Sequence, residues 1–322
     1  MRAVFAVPIT LLLVVRAYTR KSLTIVGILA AALTATIHAL HPSPIPFALL
    51  CTFFLLGTTA TKVKHDVKAT LTISSSGHVG GEGPRTSVQV FANSACASIL
   101  VLCHVWLYGL DSNTSACLGG TDDKSRTAGL LLMGIMSNYA AVAADTLSSE
   151  LGILSKTNPV LITSLRTVPR GTNGGVTLAG LLAGVGGSAA ISLTSLLFLN
   201  FCEGGTARPV NTFLVLTALG TLGTLLDSLL GAFLQASVVD RRSGKIVEGP
   251  GGTKVLTKPK PRPGHVDDTT SHHHSLSEEW KKGEESRIIN SGHDILDNNQ
   301  INFLMASIMS ISGMVAAGIL RM

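Results

Sequence analysis

Long uncharged runs alternate along this chain with short polar clusters. The apolar runs fall at about 22–40, 45–61, 88–110, 128–144, 174–201, 211–234 and 301–320, and a shorter one lies at about 3–15. Runs of roughly 17–25 apolar residues match helices that cross a hydrocarbon core about 30 Å thick. Apolar residues fill the runs without the period-two alternation of a half-buried strand, so each is read as a helix. No small-residue cleavage site precedes Arg16, Arg20 and Lys21, so the first run is expected to be a retained helix rather than a removed leader. The fold class expected is all-α, a polytopic integral membrane protein with about eight spans, of which seven are strong and the N-terminal one is short.

Composition agrees with this reading: mean hydropathy is +0.43 and only 14% of the 322 residues are charged, where a soluble domain carries about 25%. The charges are also one-sided. With a lumenal N-terminus, the segments facing the cytosol carry 20 of the 25 lysines and arginines and the lumenal segments carry 5, the asymmetry expected of inserted helices. The sequon Asn113-Thr114-Ser115 then falls in a lumenal loop. Cys117 and Cys202 share that side, where a disulfide between them is possible. The net charge of +6 arises from basic cytosolic loops without interleaved aromatics, so no nucleic-acid partner is expected. No Arg-rich, acid-poor presequence is present, which favours the endoplasmic reticulum or another endomembrane. Nothing in the sequence sets an oligomeric state.

Three parts are expected: a membrane domain over 1–248, a disordered cytosolic insert over 249–290, and a last transmembrane helix of the same domain over 291–322. "VVDRRSGKIVE" (238–248) reads as a short turn or hairpin after a helix. The insert is rich in Gly, Pro, Lys and Ser and poor in apolar residues. Its His272, His273 and His274 read as a solvated tract rather than a metal site. Gly180 and Gly184 form a GxxxG, followed by Gly186 and Gly187, which is read as close helix packing. No glycine-rich nucleotide loop of the soluble type is present.

The polar residues that break the apolar pattern gather at the cytosolic edge. Arg85, Gln89 and Asn93 are spaced by four at the entry of span 88–110 and share one helical face. Asn138 and Asp145 lie two turns apart, with Ser149 one turn beyond and Glu150 beside it. "NPVLITSLRTVPRGTNGGVT" (158–177) carries Arg166, Arg170, Gly171, Thr172 and Asn173 and ends at Gly174 and Gly175, read as a helix start able to hold an anion. Asp227 lies about 10 Å inside its span, counted at 1.5 Å per residue, and an intramembrane acid is a functional candidate by default. Ser228 and Gln235 follow it. Asp297 is read as a helix cap, with Asn302 continuing the polarity inward. The expected lumenal halves are almost wholly apolar apart from His38 and His104.

Acids in a dry site hold Mg²⁺ through oxygen ligands together with substrate phosphates, and bases and helix N-termini hold phosphate oxygens. Asp145, Glu150 and Asp227 are therefore the candidate catalytic and Mg²⁺-binding residues. Arg85, Lys156, Arg166, Arg170, Gly171, Thr172, Asn173, Gly174 and Gly175 are the candidate phosphate binders. Gln89, Asn93, Asn138, Ser149, Ser228, Gln235, Asp297 and Asn302 support them. Phosphoryl transfer needs little beyond positioning and charge neutralisation.

At these blocks the chain resembles a known family. "GPRTSVQVFANSA" (83–95), "AADTLSSELGILSK" (143–156), "PVLITSLRTVPRGTNGGVT" (159–177), "LDSLLGAFLQ" (226–235) and "DNNQINFL" (297–304) are similar, in order, to the family that contains transmembrane protein 19 and the plant phytyl-phosphate kinase, also called domain of unknown function 92. The resemblance implies a multi-span enzyme that converts an isoprenoid monophosphate to the diphosphate with a nucleoside triphosphate. "DTLSSELG" (145–152) and "RTVPRGTNGG" (166–175) also look loosely like CTP-using membrane enzymes, which implies CTP or ATP as donor. The function expected is a Mg²⁺-dependent lipid-monophosphate kinase working among membrane lipids at the cytosolic face. A transporter or scramblase of an anionic lipid or solute, and a membrane scaffold, are the alternatives.

Overall fold

A computed structural model describes residues 3–76, 80, 83–110, 117–255 and 287–322. The helices are α1 (Ala3–Thr19), α2 (Ile25–Leu40), α3 (Ile45–Lys62), α4 (His65–Leu71), α5 (Ser87–Tyr108), α6 (Asp123–Gly152), α7 (Leu178–Phe198), α8 (Pro209–Leu234) and α9 (Asn298–Leu320). Six of them, α3 and α5–α9, are long and apolar enough to cross a membrane. The protein is an all-α polytopic membrane protein, as the hydropathy pattern predicts. The second predicted span is shorter than expected, 16 residues. Its first residues are used elsewhere: the Thr24 amide donates to the Arg85 carbonyl and the Arg85 amide to the Ser22 carbonyl, both at 3.0 Å.

Helix α6 is the axis of the bundle. Residues 131–144 are buried without interruption, and α3, α5, α7, α8 and α9 all pack on it. Helix α2 covers α5 and α3 from outside, and α1 packs on α2. In lipid, close van der Waals approach rather than hydrophobic burial holds helices together, and small residues permit it here. A Cβ on Gly187 of α7 would stand 2.7 Å from the Ala143 carbonyl, and one on Gly220 of α8 would stand 2.8 Å from the Ala140 carbonyl. The GxxxG region of α7 therefore serves packing, as read from the sequence.

Short strands decorate both ends. At the end where α5, α7 and α9 begin, β1 (Ile73–Ser74), β6 (Ser237–Asp240), β7 (Ile246–Glu248) and β8 (Arg287–Ser291) form a sheet of order β1-β7-β6-β8. The predicted hairpin over 238–248 is the antiparallel β6–β7 pair. The two edges of the predicted disordered insert are ordered. Pro250–Gly252 forms a 3-10 turn, with the Gly251 carbonyl accepting from Asn299 Nδ2 at 2.9 Å, and β8 pairs antiparallel with β6. Pairing satisfies the backbone of these polar stretches, which composition alone does not anticipate. The rest of the insert, with His272–His274, and the sequon at Asn113 lie outside the described residues.

At the opposite end, β2 (Cys117–Leu118) lies parallel to β5 (Asn200–Phe201). A disulfide joins Cys117 to Cys202, with Cα atoms 5.0 Å apart. It ties the entry of α6 to the exit of α7. Strands β3 (Val160–Leu161) and β4 (Gly175–Val176) pair within the loop that connects α6 to α7.

Candidate functional site

Helix ends and the segments that connect them line a polar cavity of about 680 Å³ at the end opposite the disulfide. Helix α6 continues through Asp145 and Glu150 to Gly152, so both acids project from a helix rather than from the end of a span. Asp145 and Asp227, from α6 and α8, are in side-chain hydrogen-bonding contact. Thr224 Oγ1 donates to Asp145 Oδ1 at 3.4 Å. Asn302 of α9, with its amide nitrogen turned toward α8, donates to Asp227 Oδ1 at 3.1 Å and to the Asn298 carbonyl at 3.2 Å. Three helices thus meet at two touching carboxyl groups. Two carboxylates in contact repel, so the pair requires a shared proton or a cation.

Glu150 stands apart from this pair. Thr61 Oγ1 donates to Glu150 Oε1 at 2.6 Å, and Lys68 Nζ, from α4, donates to Glu150 Oε2. The Lys68 and Glu150 side chains are 9% and 11% exposed. Lys68 also donates to the Ala60 carbonyl at 3.0 Å, and Arg85 Nη2 donates to Thr61 Oγ1 at 3.3 Å. This makes a cationic wall of Lys68 and Arg85, held by α3 and α6, beside the acidic pair. Among the described residues no three His, Cys, Asp or Glu side chains assemble into a metal cage. Of the three acids expected to hold Mg²⁺, the structure brings Asp145 and Asp227 together, while Glu150 is engaged by Lys68. Two carboxylates still fit Mg²⁺, which takes one or two from protein and the rest from phosphate and water.

Arg85, Gln89, Asn93, Ser149, Arg170–Gly175, Ser228, Gln235, Asp297 and Asn302 all line the cavity, with Asp145, Glu150 and Asp227. Several have defined structural duties. Gln89 closes a capping box with Thr86, and Asp297 closes one with Gln300, so the expected cap at Asp297 is present. Asn93 Nδ2 donates to the Gln89 carbonyl at 2.8 Å, and Ser149 Oγ donates to the Asp145 carbonyl at 3.0 Å. Arg170 reaches the Ile153 and Lys156 carbonyls, each at 3.4 Å, which sets a cation at the C-terminus of α6. The Asn173 amide donates to Ser237 Oγ at 2.9 Å, and Asn173 Nδ2 donates to the Ala236 carbonyl at 3.1 Å.

Three candidates lie elsewhere. Lys156 and Arg166 are exposed and do not border the cavity, and Asn138 is buried below it, donating to the Asn93 carbonyl at 2.9 Å. The expected helix start at Gly174–Gly175 also differs. Helix α7 begins at Leu178, capped by Thr177. Gly174 has φ 78° and sits so close to α8 that a Cβ would meet the Ser228 carbonyl at 2.6 Å. Its role is to let the loop approach α8. Sequence reasoning left unassigned Thr61, Thr224 and the turn at Gly249–Thr253, all of which line the cavity. The segment "KVKHDVKATL" (62–71) offers Lys62, Lys64 and Lys68 as bases facing the acids, and of these Lys68 is the one that borders the cavity.

Residues 8–310 match the family described as Integral membrane protein DUF92. The chain belongs to the DUF92 family. Protein PGR of Arabidopsis thaliana is 37% identical over 320 residues, covering 98% of this chain and 96% of that protein. Protein VTE6, chloroplastic, also of Arabidopsis thaliana, is 27% identical over 209 residues, or 65% of this chain and 55% of that protein. An uncharacterized membrane protein of Methanocaldococcus jannaschii is 42% identical over 104 residues, 32% of this chain and 40% of the relative. No solved structure matches the chain. These DUF92 likenesses agree with the family resemblance carried by the motif blocks.

Proposed function

We propose that this chain is a membrane-embedded isoprenoid-phosphate kinase. In this reading it transfers a phosphoryl group from a cytosolic nucleoside triphosphate, CTP or ATP, to a lipid monophosphate. The observation that carries the proposal is that the Asp145–Asp227 pair and the cations Lys68, Arg85 and Arg170 line one polar cavity. Such a cavity separates the two charges that phosphoryl transfer must bring together, a metal-binding acid pair and a phosphate-binding cationic surface.

Asp145 and Asp227 would hold Mg²⁺, which would neutralise the triphosphate oxygens. Asn302 and Thr224 fix the rotamers of the two acids by hydrogen bonds. Arg85 and Lys68 bind and orient phosphate oxygens from the α3–α5 side. Arg170 adds a cation at the rim. The acceptor oxygen belongs to the lipid's own phosphate and is ionised at neutral pH, so no side-chain nucleophile is required. That oxygen bonds to the terminal phosphorus of the triphosphate, the bond to the bridging oxygen breaks, and the nucleoside diphosphate leaves. A site at the end of the helices lets the lipid phosphate meet a water-soluble nucleotide while its chain stays in the bilayer.

The test uses purified protein in detergent with Mg²⁺ and γ-labelled CTP or ATP, offered phytyl, geranylgeranyl, farnesyl and dolichyl monophosphates. Label entering a lipid diphosphate with wild type, and lost with Asp145→Asn and Asp227→Asn, is expected. Folded protein that labels none of the four acceptors with either nucleotide overturns the proposal.

A further inference from the structure

A second feature lies away from the cavity, where α1 meets the bundle. Helix α1 packs on α2, and between it and α3 runs a narrow apolar crevice of about 60 Å³. Its walls include Thr10, Ala17, Leu23, Ile28, Leu50 and Phe54, from three helices. Ala17 and Leu23 mark its shallow end, close to where α1 stops and α2 starts. Leu50 lies twelve residues before Lys62, so the crevice descends roughly 18 Å from the end of α3 at 1.5 Å per residue.

Above the crevice stand Arg16 and Arg20 at the end of α1 and Lys62 at the end of α3. All three are exposed. Helices α1 and α3 both wall the crevice, so cations at the end of each frame its mouth. Among the described residues none of the three is within ion-pairing distance of a carboxylate. Exposed cations from the ends of two helices, without a carboxylate beside them, make a surface complementary to an anion. The only anions abundant at that depth of a membrane are lipid headgroups.

We infer that this corner is a binding site for one anionic glycerophospholipid. Its phosphate sits among Arg16, Arg20 and Lys62, and part of one acyl chain lies in the crevice between α1 and α3. Charge complementarity selects the headgroup, and the apolar walls accept hydrocarbon. The site is independent of the proposed catalytic reading, since none of its three cations borders the cavity.

Native mass spectrometry of the full chain in detergent tests the inference, with titrations of phosphatidylglycerol, phosphatidylcholine of the same acyl chains, and farnesyl monophosphate. Preferential retention of phosphatidylglycerol over phosphatidylcholine is expected. Arg16→Gln/Arg20→Gln/Lys62→Gln should lower that retention by about tenfold or more, since each interfacial cation contributes roughly a factor of five. Ala31→Leu, which narrows the crevice, should lower retention with the charges intact, and Arg20→Gln alone serves if the triple variant does not fold. Asp227→Asn should leave phosphatidylglycerol retention unchanged. Equal retention of the two phospholipids, or undiminished retention in folded charge variants, overturns the site. Loss in Asp227→Asn, or displacement of phosphatidylglycerol by farnesyl monophosphate, overturns it too, because the lipid then occupies the cavity.

Discussion

At the scale of single residues, the acids of this chain divide into two kinds that the sequence cannot separate. Asp145 and Asp227 face each other, and Glu150 faces Lys68. Replacing either aspartate with asparagine keeps the shape and removes the charge. On the proposed kinase reading, each change should lower phosphoryl transfer by at least about a hundredfold, since a metal-based charge contact is worth several kcal/mol. Because the two act as a unit, the double variant should be little worse than either single one. Rates of labelled diphosphate formation measure both. Glu150→Gln should behave otherwise. It leaves Lys68 as a buried cation without its counter-charge, which costs about 3 kcal/mol or more. Thermal unfolding in detergent should show a lower midpoint, and adding Lys68→Met should restore part of it. The signal for Asp227 was plain, an acid inside an apolar run. The inward turn of Lys68 was not legible, because its partner is 82 residues away in sequence and no local spacing encodes that contact.

At the scale of elements, hydropathy located all eight apolar helices, and the errors were at their ends. The apolar run marked the span of α6 only to residue 144, whereas the helix itself continues to Gly152. The glycines of 171–175 looked like a helix start, but β4 and a tight approach to α8 place them before it. Both errors share a cause: local composition reports solvation, whereas packing against α8 and the sheet decides the backbone. The glycines of α7 offer a paired test. Gly187→Leu forces a side chain toward the Ala143 carbonyl, while Gly186→Leu meets open space. The first should destabilise the purified protein by about 2 kcal/mol or more, as overpacking does, and the second should be nearly silent. Equal midpoints for the two variants would contradict the packing of α7 on α6.

At the scale of the whole molecule, the bundle is fastened at one end and chemically furnished at the other. The Cys117–Cys202 disulfide closes a sequence separation of 85 residues. In the chain-entropy account, a loop of that size contributes about 4 kcal/mol. Reduction, or Cys202→Ser, should therefore lower the unfolding midpoint while leaving the cavity end assembled, which nucleotide binding to the reduced protein can check. The six long helices were readable because the bilayer imposes a length on each span, and α1 and α2 showed as shorter apolar runs. Of the sheet only the β6–β7 hairpin was readable, since β1 and β8, of two and five residues, carry no detectable period.

That sheet has one further consequence. Strand β8 returns beside β6, and Lys254 Nζ meets Asp294 Oδ1 at 3.2 Å, so both borders of the stretch 256–286 are clamped to the same small platform. Distance between the borders is set by the clamp and not by the length of the connection. Lengthening or shortening a connection whose ends are already held alters the closure entropy only slowly, roughly 0.6 kcal/mol for each doubling. The stretch is therefore a natural place to splice in a reporter domain or to excise residues. Helix α9 would still deliver Asn302 to Asp227 after such surgery.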